Sequence, residues 1–365
     1  MITLVQEKLH RLHIALLVFN TQTGVVVLTL PRTTAKYFGT NGWVTLLITF
    51  LIVTIDIMLI TWVYKLGHGA SVFDILQSSL PRVIYYPLYF FLGCLFSMIG
   101  CLVTKQYVMI YQMLIFPSTS DVLLKLVVDI LVFLLVIKGL YTMSKANVFF
   151  VVFLVLQFPI AVYLLPNFDF VRLTPFLFQG GSDMREGFIR VFGAYMGYEL
   201  VLFIFPYTEK NNNWLKYIHL GNGFTSLIYL LITLECYGFF NVNELVHLAF
   251  PILDMYAYIS LAFIERMQNF LYSFFILSIL LTGAMYYWTS QEVFSKALPW
   301  LPGKLTVFLT MVITMFITYI PKTLIEVENW FRTATIIEIF VSFGLPLLLI
   351  LLLFIQRGRE KSETA

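Results

Sequence analysis

Charged residues are scarce in this chain. Asp, Glu, Lys and Arg make up 12% of its 365 residues, about half the share found in an average soluble domain. The formal net charge is only +3, which provides none of the strongly basic surface that nucleic acids require. The composition therefore argues against a soluble protein, and we expect no nucleic-acid partner.

Patterns that would indicate catalysis or metal binding are also lacking. The chain has only three cysteines, Cys94, Cys101 and Cys236, and their spacing matches no metal-ligand motif. It contains no H-E-x-x-H, no G-x-S-x-G and no Walker A sequence. We therefore expect that the protein is not an enzyme and that it needs neither a metal ion nor a cofactor.

What the chain has in abundance is long apolar runs, since 60% of its residues are hydrophobic. A helix that crosses a bilayer needs about 20 apolar residues, and long runs replace the short alternating segments of membrane β-barrels. The sequence thus predicts an all-α integral membrane protein of about ten transmembrane helices. The expected spans cover residues 12–37, 42–64, 84–113, 122–143, 146–166, 186–207, 214–239, 257–289, 304–320 and 331–355.

A polar stretch over residues 165–187 divides these spans into two sets of five. This division predicts a single transmembrane domain made of two five-helix repeats, 12–166 and 186–355, followed by a polar tail, 356–365. The tail "RGREKSETA" is basic near the membrane, which favours a cytoplasmic C-terminus. With ten spans, the N-terminus lies on the same side.

Two of the spans are interrupted at corresponding positions. The first contains "NTQTGVVVLTLP", from Asn20 to Pro31, and the sixth contains "GYELVLFIFP", from Gly197 to Pro206. Broken helices at matching places in two halves are typical of transporters and lie beside a binding site at the membrane midplane. For either segment alone, close helix packing through small residues is the simpler interpretation. The matched pair favours the binding site.

The physics of a broken helix indicates what such a site would bind. Unwound backbone in hydrocarbon needs hydrogen-bond partners, and half-helix ends favour a carboxylate at the amide end and a cation at the carbonyl end. An amino acid meets both needs. In the first span, Asn20, Thr21, Gln22 and Thr23 supply donors and acceptors, and Gly24 permits a close approach of the backbone.

Other spans contribute further candidate residues. Glu199 is an ionisable group at membrane depth and therefore a functional candidate, as a proton carrier or as a partner for a ligand amine; the alternative is a structural acid bonded to a tyrosine or to a backbone amide. We expect Thr282, Tyr286 and Tyr287 in the eighth span, and the Leu95–Ile99 face of the third, to reach towards the same cavity, although single aromatic residues there mostly serve packing. For Asp56, Asp129 and the pair Glu265–Arg266, structural roles are favoured.

Three segments together resemble a known family. "NTQTGVVVLTLPR", "GYELVLFIFP" and "FIERMQNF" are similar to segments of the permease-like B subunits of spore nutrient-germinant receptors. Those subunits belong to the amino acid–polyamine–organocation transporter superfamily. The resemblance covers nearly the whole chain and implies a LeuT-like fold with a five-plus-five inverted repeat and breaks in helices 1 and 6.

The resemblance also implies a function and partners. We expect a subunit that senses an amino-acid-like nutrient in the inner membrane of a spore, together with an A-type membrane subunit and a C-type lipoprotein. The family's ligand site maps onto Thr21, Thr23 and Gly24 of the first span and onto Met196, Gly197 and Glu199 of the sixth. A proton-coupled amino-acid permease and a structural scaffold for the A subunit are the alternatives.

One position departs from the superfamily pattern. Val26 stands where a second glycine is usual in the first span. A β-branched side chain is stiff and keeps a ligand farther from the backbone. The departure leaves the expected fold unchanged, but the identity of the nutrient stays open.

Overall fold

A computed structural model of the chain describes residues 8–155, 162–175, 178–259 and 267–363, and the regular secondary structure in these ranges is helical. The α-helices are α1 (Arg11–Gln22), α2 (Leu30–Phe38), α3 (Val44–Leu66), α4 (Val72–Ser79), α5 (Arg82–Leu114), α6 (Asp121–Ile137), α7 (Leu140–Val155), α8 (Met184–Ala194), α9 (Leu215–Phe239), α10 (Val242–Leu245), α11 (Pro251–Ala257), α12 (Met267–Ala297), α13 (Gly303–Thr318) and α14 (Leu324–Glu363).

The first span is broken, as the sequence predicts. Helix α1 ends at Gln22, a 3₁₀ segment follows over Val25–Thr29, and α2 starts at Leu30. The two halves are bent by 49° relative to each other. Pro31 lies in the first turn of α2, where its fixed φ suits a helix start and its missing N–H costs nothing. The bend therefore separates two ordinary half-helices.

The sixth span is interrupted as well, but it lacks the sharp bend of the first. Helix α8 starts behind Asp183, whose side chain accepts from the N–H groups of Arg185 and Glu186, and the helix ends at Ala194. A turn follows, in which Gly197 has φ 114°, a value that favours glycine. The chain continues as a 3₁₀ helix over Tyr198–Tyr207. Both expected breaks are thus confirmed.

Six of the described helical stretches are long and apolar enough to cross a membrane, and the bent pair formed by α1 and α2 is a seventh candidate. The predicted fourth and ninth spans correspond to the shorter helices α6 and α13, of 17 and 16 residues, and the predicted fifth span corresponds to α7, which is described as far as Val155. Large apolar side chains such as Phe316 and Phe340 are about three-quarters exposed, at 74% and 75%, and would face lipid. The count of ten spans stays a prediction.

Several predicted boundaries are wrong by a few residues. The fourth span was expected over 122–143, but α6 ends at Ile137 and α7 begins at Leu140. Gly139, with φ 82°, adopts the left-handed conformation that commonly ends a helix. Helices α12 and α14 continue beyond the expected 289 and 355, to Ala297 and Glu363. The pair Glu265–Arg266 lies outside the described residues.

Helix α12 packs closely against α5. The Tyr107 hydroxyl donates to Tyr272 O at 2.9 Å, and the Ser290 hydroxyl donates to Gly93 O at 2.8 Å. A Cβ added at Gly93 would lie 2.7 Å from the Phe294 ring, so this contact requires glycine, as is common where membrane helices meet. Helices α5 and α12 thus hold one another firmly beside the two breaks.

Candidate functional site

The two breaks touch each other. A Cβ added at Gly197 would lie 2.8 Å from Thr21 Cγ2 and 3.1 Å from the backbone carbonyl of Thr21. Such distances leave no space for a side chain, so Gly197 is required both by its φ and by this contact. Thr21 and Gly197, which the sequence placed in one site, are therefore brought together.

Asn20 connects the first break to two other helices. Its Nδ2 donates to Asn147 Oδ1 of α7 at 2.5 Å, and its Oδ1 accepts from the Ser278 hydroxyl of α12. The backbone carbonyl of Asn20 accepts from the Thr282 hydroxyl at 3.2 Å. The Ser278 hydroxyl also lies 3.0 Å from Thr23 O. Helix α12 thus supplies hydroxyl groups to carbonyls that the break has freed.

Gln22 joins the first break to the second. Its Nε2 donates to Tyr195 O at 2.8 Å and to Asn222 Oδ1 at 3.1 Å. Its Oε1 accepts from the Thr225 hydroxyl at 2.8 Å. These contacts span α9 and the end of α8, so a single amide side chain holds three elements together.

A tyrosine of α9 reinforces this link. The Tyr229 hydroxyl lies 2.7 Å from Gln22 O and 2.9 Å from Ala194 O. Both are carbonyls at the ends of half-helices, which have no partner within their own helix. The hydroxyl groups of Thr21 and Thr23 donate to Leu17 O and Phe19 O of α1, both at 2.7 Å.

In this conformation, then, side chains of the protein itself satisfy the carbonyls of the breaks. Asn20, Thr21, Gln22 and Thr23 are all at least 97% buried, whereas Gly24 is half-buried. A polar molecule that enters must exchange hydrogen bonds with these side chains. The arrangement suits a small molecule that carries both donors and acceptors.

Glu199 lies at the centre of a second polar group. Its carboxylate accepts from the Gly197 N–H at 2.8 Å, and the Tyr286 hydroxyl lies 3.4 Å away. The same hydroxyl is 2.6 Å from a carboxyl oxygen of Glu338 on α14. The Tyr286 hydroxyl thus lies between the carboxyl groups of Glu199 and Glu338, which are both buried.

A third buried acid is close by. Asp56 of α3 accepts from the Tyr198 hydroxyl at 2.6 Å, and its other oxygen has no hydrogen-bond partner. Within the described ranges, none of the carboxyl groups of Asp56, Glu199 and Glu338 forms an ion pair. The same part of the chain holds no cluster of three or more His, Cys, Asp or Glu residues suited to a metal ion. What this group of acids can exchange is protons and hydrogen bonds.

The remaining candidate residues are apolar. Leu95 lines an apolar cavity of about 420 Å³ together with Trp330 and Ala334 of α14. Ile99 and Met196 are buried, with 1% and 5% exposure. Among these three, Met196 is nearest in sequence to Gly197, whereas Leu95 faces α14 and contributes no polar contact to the breaks.

Sequence reasoning missed several polar partners in this network. Glu338 carries the signal that identified Glu199, an acid in the middle of an apolar run, and could have been found in the same way. Asn147, Asn222 and Ser278 carry no such signal, because single amides and hydroxyls also serve ordinary helix packing in membranes.

Comparison with known proteins shows similarity to spore germination proteins. A family model described as "Spore germination protein" matches residues 8–327. The chain is 25% identical over 264 residues to spore germination protein GerQB of Bacillus cereus, covering 72% of this chain and 73% of that protein. It is 24% identical over 277 residues to spore germination protein A2 of Bacillus subtilis (strain 168), covering 74% and 75%.

Solved structures of transporters share the fold. The nucleobase-cation-symport-1 family transporter MHP1, in a closed conformation with bromovinylhydantoin bound, superposes with a TM-score of 0.64 at 13% identity, over 94% of this chain and 78% of that one. A Na⁺-coupled sialic acid symporter in an outward-open state superposes with a TM-score of 0.61 at 10% identity, over 96% and 80%. At such low identity, the likeness establishes the fold alone.

Proposed function

Because this chain belongs to the spore germination protein family, we propose that it is the permease-like, nutrient-sensing subunit of a germination receptor and that it binds a small amino-acid-like molecule at its two breaks. The observation that carries the site is the contact between Gly197 and Thr21. It joins two interrupted helices inside a shell of hydrogen-bonding side chains. Interrupted helices in membrane proteins serve to bind ligands.

The mechanism we propose is an exchange of hydrogen bonds. In the closed arrangement, Thr282, Tyr229 and Gln22 bond the free carbonyls of the breaks. A nutrient that offers an ammonium and a carboxylate replaces some of these bonds and stabilises a different packing of α1 and α8. Because it binds that packing better, it shifts the population towards it. The shift is the signal passed to partner subunits.

The same proposal includes the location of the subunit, its orientation in the membrane and its partners. We propose that it lies in the inner membrane of the spore, with both termini on the cytoplasmic side. There it assembles with an A-type membrane subunit and a C-type lipoprotein. The two breaks support a division into five-helix repeats over 12–166 and 186–355, with the polar tail after residue 355.

A second function is compatible with the same fold. Transporters share this architecture, and buried acids inside membrane proteins, such as Glu199 and Glu338 here, are typical of proton pathways. A proton-coupled permease would accumulate labelled amino acid when reconstituted alone under a proton gradient. A sensing subunit would bind its nutrient without accumulating it.

The proposed site is tested by a binding screen on the purified protein. Amino acids, sugars and nucleosides are compared on the wild type, on Glu199→Gln and on the surface control Glu244→Gln. We expect an amino-acid-like compound to bind wild type and control equally and to bind Glu199→Gln at least about tenfold more weakly, a loss of about 1.4 kcal/mol. Equal binding by all three proteins would refute the site.

A further inference from the structure

A polar cavity lies beside the breaks and contains none of the candidate residues discussed so far. Its volume is about 170 Å³, and it is bounded by α2, α5, α8 and α14. This is well above the roughly 10–15 Å³ that one water requires and below the roughly 300–1,000 Å³ typical of drug-sized ligands. The size suits a small metabolite.

The walls of this cavity carry an excess of positive charge. Arg32, Lys36, Arg190 and Arg332 line it, against a single acid, Glu328. Lys36 is exposed, and Glu328 is within electrostatic reach of Arg32, Lys36 and Arg190. A cleft lined by one sign of charge concentrates ions of the other sign. The walls therefore favour an anionic group.

Glu186, which does not itself line the cavity, already balances part of this positive charge. Glu186 accepts from Arg190 Nε at 2.8 Å and from Arg332 Nε and Nη2 at 2.6 and 2.5 Å. It fixes these two guanidinium groups in place. Arg32 donates through Nε to Val246 O at 3.2 Å, which leaves its terminal nitrogens for other contacts. Arg32 and Lys36 are thus the groups best placed to meet an anion.

The cavity also contains an uncharged side chain, Gln106, that needs a hydrogen-bond donor. Gln106 of α5 lines the cavity and is 4% exposed, and its Oε1 has no hydrogen-bond partner. A buried acceptor without a donor costs about 1–3 kcal/mol, so such groups in native proteins generally have a partner. Gln106 Oε1 can accept only from an N–H or O–H group, which a simple anion does not have.

We propose that this cavity is a separate binding site for a small molecule that carries both a carboxylate and an N–H or O–H donor, as a free amino acid does. The carboxylate meets Arg32 and Lys36, and the donor meets Gln106 Oε1. Val26 also lines the cavity, two residues from Gly24. The cavity is therefore an outer site next to the first break, and its residues are independent of those proposed for nutrient sensing.

The charge preference is tested with a cysteine at Thr33, which lines the cavity. The variant Thr33→Cys is labelled with an anionic and with a cationic methanethiosulfonate reagent, and Asn243→Cys, at an exposed position, serves as the control site. Protein without either cysteine gives the background from native thiols. We expect the anionic-to-cationic rate ratio at Thr33→Cys to exceed the control ratio by about tenfold or more.

Adding Lys36→Gln to Thr33→Cys should lower this rate ratio severalfold. Because Lys36 is exposed, this substitution should leave the folded structure intact. A ratio equal to that at Asn243→Cys, or one that does not respond to Lys36→Gln, would overturn the proposal.

The need for two groups on one molecule is tested by protection. A mixture of the common L-amino acids other than cysteine, whose thiol would consume the reagent, should slow labelling of Thr33→Cys at least threefold. Matching mixtures of amines without a carboxylate and of carboxylic acids without an amine should not. Gln106→Met, which keeps the size but removes the acceptor, should abolish the protection, and Gln112→Met on the same helix should not. If the plain carboxylic acids protect equally, or if Gln106→Met is still protected, the cavity holds only water or general anions and the proposal fails.

Discussion

Replacing Gly197 by alanine perturbs both breaks through a single methyl group. The new Cβ would meet Thr21 Cγ2 at 2.8 Å and the Thr21 carbonyl at 3.1 Å, and the residue would have to keep φ +114°. The two effects are separate. The first is overpacking against a neighbour, and the second is strain within the residue itself.

Their sum can be worked out from general magnitudes. A non-glycine residue at a positive φ costs about 1–3 kcal/mol, and one excess methyl in a packed interior costs about 1–3 kcal/mol. We therefore expect Gly197→Ala to lower the free energy of unfolding by about 2–6 kcal/mol. For a chain of 365 residues, this corresponds to a drop of roughly 3–8 °C in a thermal melt of the purified protein.

A second substitution separates the two effects. Thr21→Ser removes the Cγ2 methyl but keeps the hydroxyl that donates to Leu17 O. In the double variant the overpacking is largely relieved and the strain remains, so about half of the lost melting temperature should return. Gly223→Ala in α9 is the control, because a Cβ there meets nothing within 4 Å. It should be neutral or slightly stabilising.

The reasoning would be refuted by either of two results. One is a melting temperature of Gly197→Ala equal to that of the wild type. The other is a full loss that Thr21→Ser does not reduce at all, since that would show that the Thr21 methyl group is not the obstacle.

Three further predictions concern the polar network. Gln22→Met should lower the free energy of unfolding by about 2–4 kcal/mol, because it leaves buried partners without their hydrogen bonds; thermal melts measure this. Tyr286→Phe should lower the free energy of unfolding by about 1–3 kcal/mol, because it removes the hydroxyl group 2.6 Å from the buried Glu338 carboxyl oxygen; thermal melts measure this. Lys125→Met should cost about 3–5 kcal/mol, because Lys125 and Asp129, 2.5 Å apart and buried, form an ion pair whose remaining charge would be left uncompensated; chemical unfolding measures this.

Each of these has a matched control. Gln112→Met should be nearly neutral beside Gln22→Met, since Gln112 donates only to Thr119 O in a less buried position. Arg172→Met should be nearly neutral beside Lys125→Met, because the Arg172–Asp169 side chains are 41% and 50% exposed and exposed pairs contribute about 0–1 kcal/mol. Tyr319→Phe should be nearly neutral beside Tyr286→Phe, because Tyr319 is 58% exposed. Equal stability of these two variants would show that the buried Tyr286 hydroxyl contributes nothing.

The sequence predicted the breaks because their cause is local. Gly24, Pro31 and Gly197 mark places where an apolar helix cannot continue, and such residues are visible without any knowledge of the fold. The end of α6 at Ile137 was missed for the opposite reason. Beyond Lys138 and Gly139 the apolar run resumes at Leu140, so hydropathy averaged over a whole span did not show the turn.

The partners of the candidate residues could not be predicted. Asn20 meets Asn147 and Ser278, which lie 127 and 258 residues away along the chain. No periodicity connects positions so far apart, and only the packing of α1 against α7 and α12 brings them together. The expectation that Asn20 to Thr23 would line an open cavity stays a prediction. In this structure, the polar cavity lies about one helical turn further along the chain, at Val26.

The central claim is that a nutrient acts through the two breaks, and the germination dose response tests it most directly. Spores that carry Glu199→Gln or Gly197→Ala are compared with wild-type spores and with Glu244→Gln spores, with the amount of the protein in the spore membrane measured in each case. The account predicts that the nutrient concentration for half-maximal germination rises by about tenfold or more in the first two and is unchanged in the control. An unchanged dose response, with the variant proteins present at wild-type levels, would contradict it.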